Sequence, residues 1–353
     1  MVVALPAFHL IARAFPNAER VLLTNISFHA KASDPAAVLG NSGLIHDYMY
    51  YPGATRNPLK LLGLIAAIRR FKPDVLIHLM SLRTVEHERR DRRFFRLAGV
   101  RRILGFPAES DLQRGFDSAT GRYEAESSRL ARTLAQLGNV DLDDLANWDL
   151  GLTSEENSAA ASALAPLGSR PLIACGPGTK MQAKDWGRDN WRALLAALHR
   201  RYPDHGLVLI GAKGEAEYAD YAAQDWLAPR VNLCGQLTPR QSAAVIAHAR
   251  AFLGPDSGPM HLASAVGTPA VAAFSAHALP GVWFPHGPLN QVIYHQTSCY
   301  NCRLETCIVE AKRCLLSITV EEMLAAAIKV LDSVQDRLAA PLAEIRSTST
   351  AAQ

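Results

Sequence analysis

The residues whose types and spacing best suit chemistry follow an apolar run late in the chain. After Ala251–Leu253 come Asp256, Ser257 and Gly258, and His261 stands three residues further on. Ser257 or Asp256 can cap a helix that opens at this turn, and the free backbone amides of such a helix favour a phosphate group. Gly258 has no side chain to block a ligand. A capped connector with a core histidine would give the same pattern, so the spacing alone leaves both interpretations open.

A second group of polar residues opens the same half of the chain. Gly178, Thr179 and Lys180 follow the apolar run Leu172–Cys175, and Lys184 comes four residues later. Hydroxyl and ammonium groups after a glycine turn can neutralise the charge of a diphosphate. Two lysines in a loop are more often solvated surface, so this loop by itself does not establish a site.

A third candidate is Glu215, which follows the turn Gly211–Gly214 at a predicted strand-to-helix junction. A carboxylate at this place suits the diol of a ribose. The same carboxylate would also stabilise the N-terminus of the helix that it opens. Both interpretations of Glu215 stay open.

Short apolar runs alternate with segments of helical period, and they predict the elements that position these loops. Strands are predicted at Val21–Thr24, Val75–Leu79, Ile103–Phe106, Leu172–Cys175, Leu207–Ile210, Val231–Leu233, Ala251–Leu253 and Ala270–Phe274. Helices are predicted at Pro58–Phe71, Arg83–Leu97, Tyr123–Leu137, Asn190–Tyr202, Glu215–Trp226 and Arg240–Ala249. This alternation favours parallel sheets covered on both faces, in which ligands bind beyond the carboxyl ends of the strands.

The length of 353 residues favours two domains, each with its own core. The best boundary lies in Gly151–Pro171, where a polar segment precedes an alanine-rich helix and a linker with prolines. We therefore expect an N-terminal domain at 1–160 and a C-terminal domain at 161–318. A helix at 319–340 is expected to return to the N-terminal domain, and the polar tail at 341–353 is expected to be disordered.

Charge and hydropathy exclude several classes of partner. The net charge of +4 is too small to indicate nucleic acid, although it is compatible with anionic ligands. The uncharged stretch Ser257–Cys302 is broken by glycines and prolines, so a membrane helix is not predicted there. The first residues do not have the pattern of a signal peptide. We expect a cytoplasmic protein with at most peripheral contact at the inner membrane face.

Taken together, these segments resemble glycosyltransferase family 9, the heptosyltransferase type. Asp256–Gly258, His261 with the following Leu-Ala, and Gly267-Thr-Pro match its signature. The loop with Lys184 and Trp186 matches the family's Lys-x-Trp-Pro, except that Gly187 replaces the proline. Another difference is Ser275, where the family usually has glycine. The resemblance spans nearly the whole chain and is strongest over 172–274.

The resemblance implies two facing doubly wound, Rossmann-like α/β domains of the glycosyltransferase B architecture. It implies transfer of a sugar, most simply heptose from ADP-heptose, to a lipopolysaccharide core or related anionic glycolipid, with inversion and without a metal or cofactor. Lys184 would stabilise the departing diphosphate. The donor would be held by Thr179, Lys180, Glu215, Asp256, Ser257, Gly258 and His261. A non-catalytic nucleotide-sugar binder and a nucleotide-sugar 2-epimerase of the same architecture remain alternatives.

The family begins with an apolar strand and Gly-Asp before a helix that contains Leu-Pro-Ala, and the Asp is its proposed general base. Here Leu5-Pro-Ala7 stands four residues after Met1, so the first strand and the general base are expected to lie before Met1. Glu19 is the nearest carboxylate in the first 30 residues, and it follows the helix. A native protein roughly 10–15 residues longer, by ordinary strand length, would supply the missing part.

An arginine-rich stretch lies in the first half, with eight arginines from Arg83 to Arg102 and Glu86, Glu88 and Asp91 among them. A solvated, salt-bridged helix face explains this composition. Arginine forks that hold a phosphorylated acceptor would explain it as well.

Four of the six cysteines form a group with the spacing Cys299-x2-Cys302-x4-Cys307-x6-Cys314. Four thiolates could close a tetrahedral zinc site, and the first pair has the spacing of metal ligands. The whole spacing is not one of the usual zinc patterns, however, and disulfides are rare in the cytosol. Free or occasionally oxidised thiols are therefore favoured over structural zinc.

We accordingly expect the isolated protein to hold less than one equivalent of zinc and to keep its activity in chelators. Elemental analysis of the purified protein measures this directly. A stoichiometric zinc ion held by the four thiolates would contradict the expectation.

Overall fold

The computed structural model describes residues 1–26, 34–53, 57–107 and 112–339. The chain forms two compact units, Met1–Glu156 with Ala278–Phe284, and Asn157–His277 with Pro285–Gln353. The division falls four residues before the end of the predicted N-terminal domain. A short segment of the predicted C-terminal domain, Ala278–Phe284, belongs to the first unit. The tail predicted to be disordered lies outside the described residues.

The described strands are β1 (Val21–Ile26), β2 (Asp47–Pro52), β3 (Val75–Ile77), β4 (Arg102–Leu104), β5 (Phe116–Asp117), β6 (Arg122–Tyr123), β7 (Leu172–Cys175), β8 (Gly206–Leu209), β9 (Arg230–Asn232), β10 (Ala249–Pro255), β11 (Ala270–Phe274) and β12 (Gln291–Tyr294). The described helices are α1 (Leu5–Ala14), α2 (Pro35–Leu39), α3 (Pro58–Phe71), α4 (Val85–Leu97), α5 (Glu126–Thr133), α6 (Ser154–Leu164), α7 (Arg188–Arg201), α8 (Ala216–Ala222), α9 (Pro239–Ala247), α10 (Gly258–Ala265), α11 (Arg313–Leu316) and α12 (Val320–Ala339). No helix among these residues is both long and apolar enough to cross a membrane.

The second unit is built on a parallel six-stranded sheet in the order β12-β11-β10-β7-β8-β9. Every residue of β7, β8 and β11 is buried, because helices cover both faces and the strands carry apolar residues throughout. The chain runs outward from β7 to β9 and then returns to pair β10 with β7 on the other side. The carboxyl ends of β7 and β10 therefore flank the point where the strand order reverses, which is where such sheets bind ligands.

Helix α12 closes the core of this unit. Its apolar residues Met323, Ala327 and Leu331 recur at the helical period and are buried against α7 and strands β10 to β12. The helix thus packs on the second unit, and its expected return to the N-terminal domain stays a prediction.

The first unit contains two parallel strand pairs in its described residues, β1 with β2 and β3 with β4. Its helix α1 buries Leu5, Phe8 and Ile11 on one face. The segment Ala278–Phe284 joins this unit through hydrogen bonds from the Tyr123 backbone amide to the Pro280 carbonyl, at 2.8 Å, and from Glu126 to Val282.

The core of the second unit supports the loop after β7 through Trp186. The Trp186 side chain is fully buried, stacks edge-on against Trp191 and donates a hydrogen bond from Nε1 to the Ile318 carbonyl at 2.9 Å. An anchored indole two residues after Lys184 restricts where that lysine can lie.

We expect Trp186→Ala to lower the free energy of unfolding by about 3–5 kcal/mol, because it leaves a large cavity and an unpaired carbonyl. Urea denaturation measures the change. The matched control is Leu227→Ala, whose side chain is 83% exposed and should change stability by less than about 0.5 kcal/mol. Equal effects from the two substitutions would contradict the anchoring role of Trp186.

Candidate functional site

Two charged side chains meet at the carboxyl ends of β7 and β10. Lys184 Nζ donates a hydrogen bond to Asp256 Oδ2 at 2.5 Å. The Asp256 side chain is 7% exposed and that of Lys184 is 17% exposed. The pairing follows from the sheet, because β7 and β10 are neighbours and their loops leave from the same edge. A nearly buried carboxylate needs such a partner.

Local backbone geometry presents Lys184 to this edge. Gln182–Lys184 form a 3₁₀ turn that the Lys184 backbone amide closes by donating to the Met181 carbonyl at 3.0 Å. The buried Trp186 then fixes the end of the loop.

Helix α10 starts at the same edge with its N-terminus uncapped by a side chain. Ser257 occupies the N-cap position in an extended conformation, but it makes no capping hydrogen bond. Of the two caps that the sequence allowed, Ser257 therefore does not cap α10, and its buried Oγ has no hydrogen-bond partner in the described part of the chain. First-turn amides such as those of Gly258 and Met260 thus remain available to an anion, which the helix dipole also favours.

His261 lies one turn into α10 and close to the ion pair. Its side chain is partly exposed, yet desolvation by the surrounding protein lowers the pKa of His261 to about 4, against an opposing effect of Asp256. The imidazole is therefore neutral near pH 7, where one ring nitrogen donates and the other accepts a hydrogen bond. Beside Asp256, the positive charge is therefore that of Lys184 and not of His261.

Glu215 lies beside the loops that follow β7 and β8. Its Oε2 accepts a hydrogen bond from the Ala212 backbone amide at 2.7 Å, so the carboxylate does stabilise the helix N-terminus. Gly178 and Gly211 both leave room for it, since a Cβ at Gly178 would lie 2.5 Å from Glu215 Cδ. Among the described contacts, Oε1 accepts no hydrogen bond and can serve a ligand as well.

The remaining predicted donor residues occupy the loop between β7 and Lys184. Thr179 is half-buried, and its Oγ1 accepts a long hydrogen bond of 3.4 Å from the Met181 amide. Lys180 is exposed. The structure thus brings together Lys184, Asp256 and His261, and places Glu215 with Gly178 at the neighbouring strand end.

His277, which follows β11, was not among the predicted site residues. Burial lowers the pKa of His277, and the Lys184 ammonium lowers it further while Asp256 opposes the shift, so the three groups lie near one another. A signal was available, because the uncharged stretch Ser257–Cys302 contains four histidines. Histidines in an uncharged segment at strand ends favour a ligand site over a surface.

The four clustered cysteines lie next to this site, around a small pocket that Ala183, Ala276 and His277 also line. All six cysteines are free thiols. Within the described ranges, no three His, Cys, Asp or Glu side chains are arranged to hold one metal ion.

Solved structures share this fold over almost the whole chain. A glycosyltransferase family 9 protein from Veillonella parvula superposes with a TM-score of 0.68 at 15% identity, over 94% of each chain. The Escherichia coli heptosyltransferase WaaC, solved with ADP-2-deoxy-2-fluoro heptose, superposes with a TM-score of 0.58 at 15% identity, over 93% of this chain and 95% of WaaC. The expected α/β fold with Rossmann-like sheets, of the glycosyltransferase B class, is confirmed.

Sequence comparison shows the same family. Residues 94–313, more than half of the chain, match the family described as glycosyltransferase family 9 (heptosyltransferase). The chain belongs to glycosyltransferase family 9. It is also 34% identical to the lipopolysaccharide heptosyltransferase 3 of Escherichia coli over 101 residues, which span 28% of this chain and only 30% of that relative.

We expect Gly178→Ala to displace the Glu215 carboxylate and to lower the free energy of unfolding by about 1 kcal/mol, the value of a lost helix cap. Urea denaturation checks this. Gly214→Ala is the matched control, because a Cβ there meets nothing within 4 Å. If both variants unfold at the wild-type urea concentration, Gly178 does not set the position of Glu215.

Proposed function

We propose that this protein transfers heptose from ADP-heptose to the core of a lipopolysaccharide, or to a related glycan, with inversion. The observation that carries the proposal is the Lys184–Asp256 pair beside the uncapped N-terminus of α10. Membership of family 9 and the names of the relatives support the reaction class.

The chemistry of the leaving group explains why this pair would matter. When the bond between the anomeric carbon and the diphosphate breaks, negative charge grows on the phosphate oxygens. The Lys184 ammonium has three protons, of which the hydrogen bond to Asp256 uses one. The others can reach a phosphate while Asp256 holds the ammonium in place, and the α10 amides add a second positive pole. In this proposal the reaction needs no metal and no cofactor.

Two observations support ADP-heptose as the donor. Glu215 has a carboxylate oxygen available for a ribose hydroxyl, which an adenosine or uridine diphosphate would equally provide. The related WaaC was solved with an ADP-heptose analogue, and this favours adenine and heptose. Thr179 and Lys180 would contact the sugar diphosphate from the loop after β7.

The acceptor is proposed to be an anionic glycolipid that the first unit binds through α4. Arg83 and Arg90 both pair with Asp91, at 3.1 and 2.8 Å, so part of the arginine-rich stretch is salt-bridged as one interpretation predicted. The exposed arginines of α4 are Arg89, Arg90, Arg92, Arg93 and Arg96. Such a row suits phosphate groups through bidentate contacts, and it would bring the protein to the cytoplasmic face of the inner membrane.

We expect Lys184→Ala to reduce kcat by about 100-fold or more, while the Kd for ADP rises less than about tenfold. The reason is that a cation opposite a growing charge contributes more in the transition state than in the ground state. Lys329→Ala, which removes an exposed lysine of α12, is the control and should change neither constant. Kinetics and calorimetry on folded variants measure both. Equal losses of turnover and ADP binding would contradict the proposed role.

A thermal-shift panel of ADP- and UDP-sugars tests the choice of donor. A ligand at 100 times its Kd adds about 2.7 kcal/mol to the stability of the protein, so the true donor should raise Tm more than the others. We expect ADP-heptose to give the largest shift. A shift with UDP-sugars alone would contradict the ADP-heptose assignment. Binding without transfer to any acceptor would favour a non-catalytic binding protein instead.

A further inference from the structure

The four clustered cysteines lie where reagents in solution can reach them. Cys299, Cys302, Cys307 and Cys314 line one pocket and are each partly exposed, whereas Cys175 and Cys234 are buried in the core. Burial raises the pKa of Cys314, and charges on the other three thiols that line the pocket raise it further. The cluster therefore contains thiols near enough to interact with one another.

Among these thiols, Cys307 has the surroundings of a nucleophile. The backbone amide of Lys312 donates to Cys307 Sγ at 3.2 Å, and the amides of Val309 and Glu310 point to the same sulfur. The turn that aims them depends on left-handed backbone at Ala311 and Lys312, with φ of 45° and 60°. These donors lower the pKa of Cys307 and favour its thiolate.

The segment from Glu305 to Lys312 also makes hydrogen bonds to the loop that contains Lys184. The Cys307 amide donates to Gln182 Oε1 at 2.9 Å, and the Ala183 amide donates to the Glu305 carbonyl at 3.0 Å. On the other side of Lys184, the Lys312 ammonium donates to the Asp185 carbonyl at 2.8 Å. The segment around Cys307 thus contacts both neighbours of Lys184, Ala183 through the Glu305 carbonyl and Asp185 through the Lys312 ammonium.

We propose that Cys307 and Cys314 form a thiol-modification site that small disulfides oxidise and that loosens the Lys184 loop when oxidised. The Cys307 thiolate attacks one sulfur of a small disulfide such as oxidised glutathione, forming a mixed disulfide and releasing one thiolate. Cys314 then loses its proton to solvent and attacks the Cys307 sulfur, which releases the second small thiolate. Two protein thiols are oxidised to one disulfide, and one small disulfide is reduced to two thiols.

Oxidation would act on the loop through Lys312. Its amide stabilises a negative sulfur in the reduced protein, and this interaction weakens when the sulfur becomes part of a neutral disulfide. Closing a ring between Cys307 and Cys314 also redirects the intervening turn. The hydrogen bond from the Lys312 ammonium to the Asp185 carbonyl, next to Lys184, would then break.

The test treats the unaltered protein with oxidised glutathione and maps disulfides by mass spectrometry. The expected product is Cys307–Cys314, with Cys175 and Cys234 unmodified and no stoichiometric metal before oxidation. Cys307→Ser should slow the reduction of oxidised glutathione by the protein at least about tenfold, since it removes the attacking thiolate. A disulfide that excludes Cys307, the absence of any disulfide among the four, or a tightly held metal ion would overturn the proposal.

Hydrogen exchange on the oxidised and reduced protein tests the coupling between the disulfide and the Lys184 loop. It needs no nucleotide-sugar donor, so its outcome does not depend on the proposed transfer activity. We expect the Ala183 amide to exchange about tenfold faster after oxidation, because its hydrogen bond to Glu305 opens more often. The Cys307→Ser protein, treated in the same way, should show no change. Unchanged exchange at Ala183 after a verified Cys307–Cys314 disulfide would overturn the coupling.

Discussion

The ion pair between Lys184 and Asp256 is the interaction on which the geometry of the candidate site depends. Two charges that are largely withdrawn from water are tolerated only when they pair closely, and removing either one would leave the other uncompensated. Such a pair requires two loops from different parts of the chain to meet within hydrogen-bond distance. The strand order brings the two loops together, because β7 and β10 are neighbours at the point where the strand order reverses.

Several features outside the pair serve the same geometry. Trp186 fixes the loop from the core side, and the hydrogen bonds of Lys312 and Glu305 hold it from the cysteine segment. The uncapped start of α10 places further positive potential beside Lys184, while Gly178 leaves the space that Glu215 fills. The site is thus held around Lys184 and Glu215 by packing and backbone contacts. A preorganised site of this kind favours catalysis of a step in which charge develops at a fixed place.

Much of this arrangement could be predicted from the sequence, for identifiable reasons. Strands β7 and β11 were predicted with their observed bounds, because a fully buried strand is an unbroken apolar run between turn residues. Strands β2 and β12 were not predicted, since Asp47–Pro52 and Gln291–Tyr294 are only partly buried and mix polar with aromatic residues. The assignment of Ala278–Phe284 to the first unit and the position of His277 depend on contacts distant in sequence, which no local pattern records.

A crystal structure of the protein with bound ADP would show whether Lys184 meets the leaving group. We expect the diphosphate to lie at the start of α10, with Lys184 Nζ at hydrogen-bond distance, about 2.7–3.2 Å, from a phosphate oxygen. In this binding mode Lys184 keeps its hydrogen bond to Asp256. A diphosphate bound away from Gly258, or an Asp256–Lys184 pair that stays closed and makes no contact with the ligand, would contradict it.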